Sequence, residues 1–201
     1  MLVFKIRRDV TLNNFSRPNS KLDEVTVSTK PIFDGKVISL QIDTVRLPDG
    51  STASREIIKH PGAVAVLAVH DGKIIMVDQF RQAMGRCELE IPAGKLEKGE
   101  DPLEAAKREL QEETGYVCKD LRLLHSFYTS PGFADEIIHL YVAEELESGD
   151  AAPDEDEFLE LYELTLEEAE AAIGSGRISD AKTIMAVYAL KLKQVTGTFG
   201  L

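Results

Sequence analysis

Three glutamates, Glu109, Glu112 and Glu113, follow Arg108 in a stretch where Leu103, Ala106 and Leu110 recur at helical spacing. On a helix, Glu109 and Glu113 are i, i+4 neighbours and Glu109 and Glu112 are i, i+3 neighbours, so three carboxylates crowd one side of its last two turns. Each like-charged pair at that spacing costs roughly 0.2–0.5 kcal/mol, and the negative end of the helix dipole adds to the cost. Something cationic has to compensate. Arg108 offsets part of the charge. A hard divalent ion such as Mg²⁺ offsets more, because it binds through one or two carboxylates and completes its shell with water and phosphate oxygens. Such a cluster can therefore hold a diphosphate through metal. The competing description is a solvated acidic face with ordinary pairs such as Glu104 with Arg108. It leaves Gly94, Gly99, Glu100 and Gly115 without a reason.

Lys plus Arg number 23 and Asp plus Glu number 35, so the chain carries a net charge of −12, a field that repels nucleic acid and anionic bilayers. An anionic small molecule is compatible with that field when cations accompany it. With 201 residues, 43% hydrophobic and 29% charged, the composition fits one compact domain and excludes disordered and disulfide-scaffold classes. Cys87 and Cys118 are too few for a disulfide framework and read as two buried thiols in a reducing cytoplasm. The longest apolar run, residues 63–69, falls far short of the ~20 residues that a bilayer requires, and residues 1–8 lack an apolar h-region. A soluble, cytoplasmic protein is the expectation.

The elements that must position the carboxylates follow from local pattern. Residues 1–23 lack periodicity and read as an arm; 24–60 form a β-rich region; 61–201 form the main domain. A hairpin turns through Leu47, Pro48, Asp49 and Gly50, and a second joins an unbroken apolar strand at 63–69 to one at 74–77 through Asp71 and Gly72. The carboxylate helix has proper ends. Asp101 can cap it, Pro102 suits its first position, Glu104 can complete a capping box and Gly115 suits the left-handed stop. Strands return at 121–128, 136–142 and 158–164, and two helices follow, capped by Thr165 and Asp180, the second turning Ile184, Val187, Tyr188 and Leu192 to the sheet. Strands before and after one helix predict a mixed sheet between helices, an α/β (α+β) sandwich.

The pattern GX5EX7REUXEEXGU, matched at Gly94, Glu100, Arg108, Glu109, Leu110, Glu112, Glu113, Gly115 and Tyr116, resembles the signature of the Nudix hydrolases; Tyr116 alone is aromatic where an aliphatic is usual. The resemblance implies a Nudix-type α/β/α sandwich with a mixed β-sheet, preceded by an N-terminal β-rich segment. It also implies hydrolysis of a nucleoside diphosphate linked to another moiety. Carried over, it makes Glu109 and Glu113 the main Mg²⁺ ligands, with Mn²⁺ as an alternative ion. Glu112 and the Ala93 carbonyl complete the shell, and Glu100 either touches metal or orients Arg108, the second being favoured.

Beyond that signature, Pro131 stands sixteen positions after Gly115. With His60, Gln79, Arg81 and Glu90 in their local contexts, it resembles the ADP-ribose pyrophosphatase subfamily. That resemblance implies cleavage of ADP-ribose to AMP and ribose 5-phosphate, and a homodimer through residues 25–60. It places a catalytic glutamate in the acidic stretch before Phe158, as Glu157 or, second, Glu155. Arg81 and Arg55 become candidates for phosphate or ribose contacts. Glu90, Ser130 and Glu136 are candidate substrate contacts, and without tryptophan, Phe33 or Tyr128 would face adenine. His60, His70, His125 and His139 lack metal-ligand spacing, and Ser130 lacks the GXSXG context of a serine hydrolase. The alternatives are a Nudix enzyme for NADH, an ADP-sugar or a dinucleoside polyphosphate, and a catalytically silent sensor of ADP-ribose.

Overall fold

Strand β1 (Val25–Asp34), β2 (Ser39–Arg46) and β3 (Thr52–Lys59) form a separate antiparallel sheet in the computed structural model, which describes residues 21–149 and 158–199. The turn between β2 and β3 closes as its sequence predicts: the Gly50 N–H donates to the Leu47 carbonyl at 2.9 Å, and the Asp49 carboxylate accepts from the Ser51 N–H at 2.9 Å. All of β1 is exposed, including the apolar Val25, Val27, Ile32 and Phe33.

The strands that follow in chain order are β4 (Ala63–His70), β5 (Lys73–Arg81), β6 (Arg86–Glu90), β7 (Ala93–Lys95), β8 (Tyr116–Val117), β9 (Arg122–Tyr128), β10 (Ile137–Ala143), β11 (Glu147–Ser148) and β12 (Leu159–Leu164), and all but β8 and β11 form the main sheet. The spatial order of the main sheet is β12-β5-β4-β10-β9, with β6 paired to β5 and β7 paired to β4, and β8 with β11 forms a small ladder apart. The β4–β10 pair is parallel and the others antiparallel. The unbroken apolar run of β4 is explained by its two faces. Val64, Val66 and Ala68 pack with Ala105, Ala106 and Leu110 of α1 (Pro102–Thr114), while Ala65 and Leu67 pack with Leu166 and Ala169 of α2 (Leu166–Gly174) and with Val187 and Leu190 of α3 (Ala181–Thr196). The result is the mixed-sheet α/β/α sandwich that the sequence predicts.

Three local expectations are corrected. The sheet-facing stripe of α3 is Thr183, Ala186, Val187 and Leu190, whereas Tyr188 and Leu192 point to solvent, so that stripe is rotated from the one predicted. Glu104 ion-pairs with Lys107 at 2.8 Å and completes no capping box; that motif forms at α2 between Thr165 and Glu168. Gly94 lies in β7 and serves there by lacking a Cβ. Cys87 is exposed at the start of β6; only Cys118 is buried.

Candidate active site

The end of α1 is held against β7 by its own carboxylates. Asp101 accepts from the Leu103 and Glu104 N–H groups, and Gly115, at φ 72°, donates to Gln111 at the other end, so the helix has a fixed register. That register buries Glu109 and Glu113 on the side facing β7. The Glu113 Oε2 accepts from the Ala93 N–H at 2.9 Å. Glu109 lies so close to Gly94 that an added Cβ would come within 1.9 Å of its carboxyl carbon. Any side chain at residue 94 would therefore displace Glu109.

Arg108 knits the remaining acids together. Its Nε and Nη2 donate to Glu100 at 2.9 and 3.1 Å, and its Nη1 donates to both Glu109 and Glu112 at 2.9 Å. The hydrogen bond from Arg108 holds the Glu100 carboxyl below its usual range, while Glu100, followed by the neighbouring charges of Glu109 and Glu112, pushes the guanidinium further up. Glu104 takes no part. Glu100 sits at the helix entrance, within fork-to-fork reach of the guanidinium.

By donor chemistry the set suits a hard divalent cation: all its side-chain donors are carboxylate oxygens, and two of them, on Glu109 and Glu112, already meet at one cationic nitrogen. Among the described residues no three His, Cys, Asp or Glu side chains converge on one empty point. Glu109, Glu112 and Glu113 are the side chains that would hold such a cation, and Arg108 now neutralises the first two of them.

Two hollows flank this helix end and share Gly94 and Lys95. One, of about 690 Å³, exposes Glu109, Glu112 and Arg108 beside Lys36 and Lys98. The other, a cleft of about 700 Å³, brings together Arg81, Glu90, Ala93, Glu113, Ser130 and Glu136, six of the residues singled out from sequence. Arg81 clasps the buried Glu90 in two-point fashion, Nε to Oε1 at 2.6 Å and Nη2 to Oε2 at 2.7 Å. Burial pushes the Glu90 carboxyl up, but Arg81 and Lys182 together outweigh it and leave it below its usual value. Across the cleft, the Thr129 hydroxyl donates to Glu136 at 2.5 Å, and His60 Nε2 stands 3.7 Å from the other Glu136 oxygen. The Ser130 carbonyl accepts from the Phe133 and Ala134 N–H groups, a tight turn that leaves the segment compact.

Arg55 is not part of this assembly within one chain. It lies on β3 in the separate sheet, where it pairs with Glu24, Nε to Oε2 at 2.9 Å, and lines neither hollow. Glu155 and Glu157 lie outside the described residues. Sequence reasoning missed Lys182 and Asp180 of the α3 entrance and His60, all of which line the cleft. The sequence held one signal for Lys182, since a lysine in the first turn after an Asp cap opposes the helix dipole and needs a reason.

A NUDIX domain is matched over residues 59–187. The chain is 56% identical over 176 residues to the ADP-ribose pyrophosphatase of Bacillus subtilis (strain 168), covering 86% of this chain and 95% of the relative. It is 55% identical over 175 residues to the methanol dehydrogenase activator of Bacillus methanolicus, covering 86% and 95%. The GDP-mannose pyrophosphatase of Yersinia enterocolitica is 37% identical over 142 residues, covering 65% and 74%. Among solved structures, one titled for an ADP compounds hydrolase superposes with a TM-score of 0.78 at 19% identity, over 90% of this chain and 99% of the other, which speaks for the fold alone.

Proposed function

The chain belongs to the Nudix family and is a hydrolase of pyrophosphate bonds, and from that premise we propose that it cleaves the diphosphate of ADP-ribose to AMP and ribose 5-phosphate with Mg²⁺. The observation that carries this reading is a shared wall: Glu113 and the Ala93 backbone border the same cleft as Arg81, Ser130 and Glu136. The 56% identity to an ADP-ribose pyrophosphatase supports the substrate.

Glu109, Glu113, Glu112 and the Ala93 carbonyl would hold the divalent cation. When bound, it supplies charge neutralisation for the diphosphate and lowers the pKa of water. Glu100 acts by fixing Arg108, and through it the placement of Glu109 and Glu112. Arg81 meets a phosphoryl oxygen with the guanidinium edge that Glu90 leaves uncovered. Glu136 and Ser130 receive the terminal ribose. Glu157, or Glu155 in second place, takes the proton from the attacking water, and the leaving phosphate departs without a covalent intermediate on the protein.

We also assign residues 25–60 to a homodimer contact in the cytoplasm, with Phe33 of β1 or Tyr128 of β9 against adenine, because β1 exposes Val25, Val27, Ile32 and Phe33. In a dimer Arg55 would have a route to the partner's cleft. Light scattering checks it: a fully active monomer contradicts the assignment.

The relative titled for GDP-mannose favours a second reading, the same metal helix acting on a different nucleoside diphosphate derivative. Comparing kcat/KM for ADP-ribose, NADH, ADP-glucose and GDP-mannose separates the two. A preference for ADP-ribose of tenfold or more supports the proposal, and a preference for another substrate replaces it. No turnover of any would support the silent sensor.

A further inference from the structure

Lys182 is a lysine with an unusual address. Its side chain is about nine-tenths buried, stands in the first turn of α3, and borders the same cleft as Glu113 and Arg81. Strand β6 fixes the helix entrance that carries it. The buried Glu88 accepts from the N–H groups of Ser179 and Asp180, and Thr183 Oγ1 accepts from the Ile91 N–H at 3.1 Å while donating to Asp180 at 2.6 Å. Residues 88, 90 and 91 thus hold residues 179–183 from one side.

Glu90 joins two cations. Arg81 uses Nε and Nη2 on it, and Lys182 donates to the same Oε2 that Arg81 Nη2 reaches. Asp180 lies 3.1 Å from the ammonium. An ammonium has three N–H donors and a guanidinium five, so two acceptors on Lys182 leave one donor, and Arg81 keeps three, two of them on Nη1. These remaining donors belong to residues that line the cleft. Arg81 and Lys182 together balance Glu90 and Asp180 charge for charge. Both side chains are already immobilised, so a ligand meeting them loses little further rotamer freedom. Asp180, Glu113 and Glu136 also face this cleft, so an anion enters it together with the divalent cation rather than alone.

We propose that Lys182, paired with Arg81 across Glu90, binds a phosphoryl group of the substrate's diphosphate. The inference rests on the diphosphate reading above and adds a binding residue to it.

The test uses imidodiphosphate with Mg²⁺ as a non-hydrolysed diphosphate, beside steady-state kinetics on ADP-ribose. In Lys182→Met, KM should rise about tenfold or more, the scale of one lost charge-assisted hydrogen bond, and the thermal shift given by Mg²⁺-imidodiphosphate should shrink. In Lys182→Arg, both should recover in part. A methionine variant with a lowered Tm but an unchanged KM and an unchanged shift overturns the proposal and leaves Lys182 as a purely structural partner of Glu90. Should that variant fail to fold, the ammonium resonance of Lys182 in the wild-type protein decides: it moves on adding Mg²⁺-imidodiphosphate, or the proposal falls. If the wild-type protein turns over no nucleoside diphosphate, yet the imidodiphosphate shift still depends on Lys182, the anion site stands and the substrate reading fails.

Discussion

Replacing Glu113 by Gln removes one charge and almost no volume. The Gln carbonyl can still accept from the Ala93 N–H, the contact that Glu113 makes at 2.9 Å, so the helix end keeps its anchor. The lost charge relieves repulsion with Glu109, one turn back, worth roughly 0.2–0.5 kcal/mol, and suits the negative end of the helix dipole. In chelator the variant's Tm should therefore match the wild type or exceed it by a degree or so. Catalysis should behave oppositely. A unit charge about 4 Å from one unit of positive charge, at an effective dielectric near 20, is worth about 4 kcal/mol. That corresponds to roughly a thousandfold in metal affinity or turnover. The assay pairs thermal unfolding in chelator and in Mg²⁺ with ADP-ribose turnover across a Mg²⁺ titration. Wild-type-like turnover at saturating Mg²⁺ would refute the assignment of Glu113, and a collapsed Tm in chelator would show that its charge is structural.

Other perturbations probe separate parts of the account. Gly94→Ala forces a Cβ to within 1.9 Å of the Glu109 carboxyl carbon, so turnover should drop about a hundredfold or more while circular dichroism keeps its shape; unchanged turnover would mean that Glu109 can move at no cost. Arg108→Gln leaves Glu100, Glu109 and Glu112 without their shared cation, and Tm in chelator should fall by about 2–4 °C, the scale of 1 kcal/mol in a domain of this size. Added Mg²⁺ should recover most of that loss. The folded protein holds the Glu90 carboxyl below its ordinary 4.5, so on acidification the unfolded chain binds that proton first. Its contribution to stability is complete above about pH 4.5 and disappears as pH falls through the lowered folded value. Urea unfolding of Glu90→Gln should accordingly show a shallower acid limb than the wild type.

Much of the fold was legible because its signals were local. The cap at Asp101, the stop at Gly115 and the turn at Asp49 and Gly50 each depend on two or three neighbouring residues, and all three stand where their sequence puts them. The short β7 was not legible, since Ala93, Gly94 and Lys95 carry no strand pattern and pair with β4 only because the chain must bring its backbone beside α1. The stripe of α3 was misjudged because apolar residues Tyr188 and Leu192 weigh more in a periodicity than Thr183 and Ala186, which the sheet buries.

The site divides in the same way. Glu109, Glu112, Glu113, Glu100 and Arg108 lie within one helix and its approach, so spacing alone brought them together. Lys182 reaches Glu90 from a helix some ninety residues away, by a contact that only the tertiary fold creates. The partners of buried Glu88 and Glu90 on β6 were equally hidden, because a strand pattern predicts which face a residue takes and not which partner waits there.

The central claim is that the carboxylate end of α1 works with a divalent cation to cleave a nucleoside diphosphate. Its most direct test follows AMP release from ADP-ribose by the wild-type protein at saturating Mg²⁺, after chelation, and by the Glu109→Gln, Glu113→Gln double variant. AMP and ribose 5-phosphate in equal amounts, abolished by chelator and by the double variant at unchanged fold, is the predicted result. Turnover that persists in either condition would contradict it.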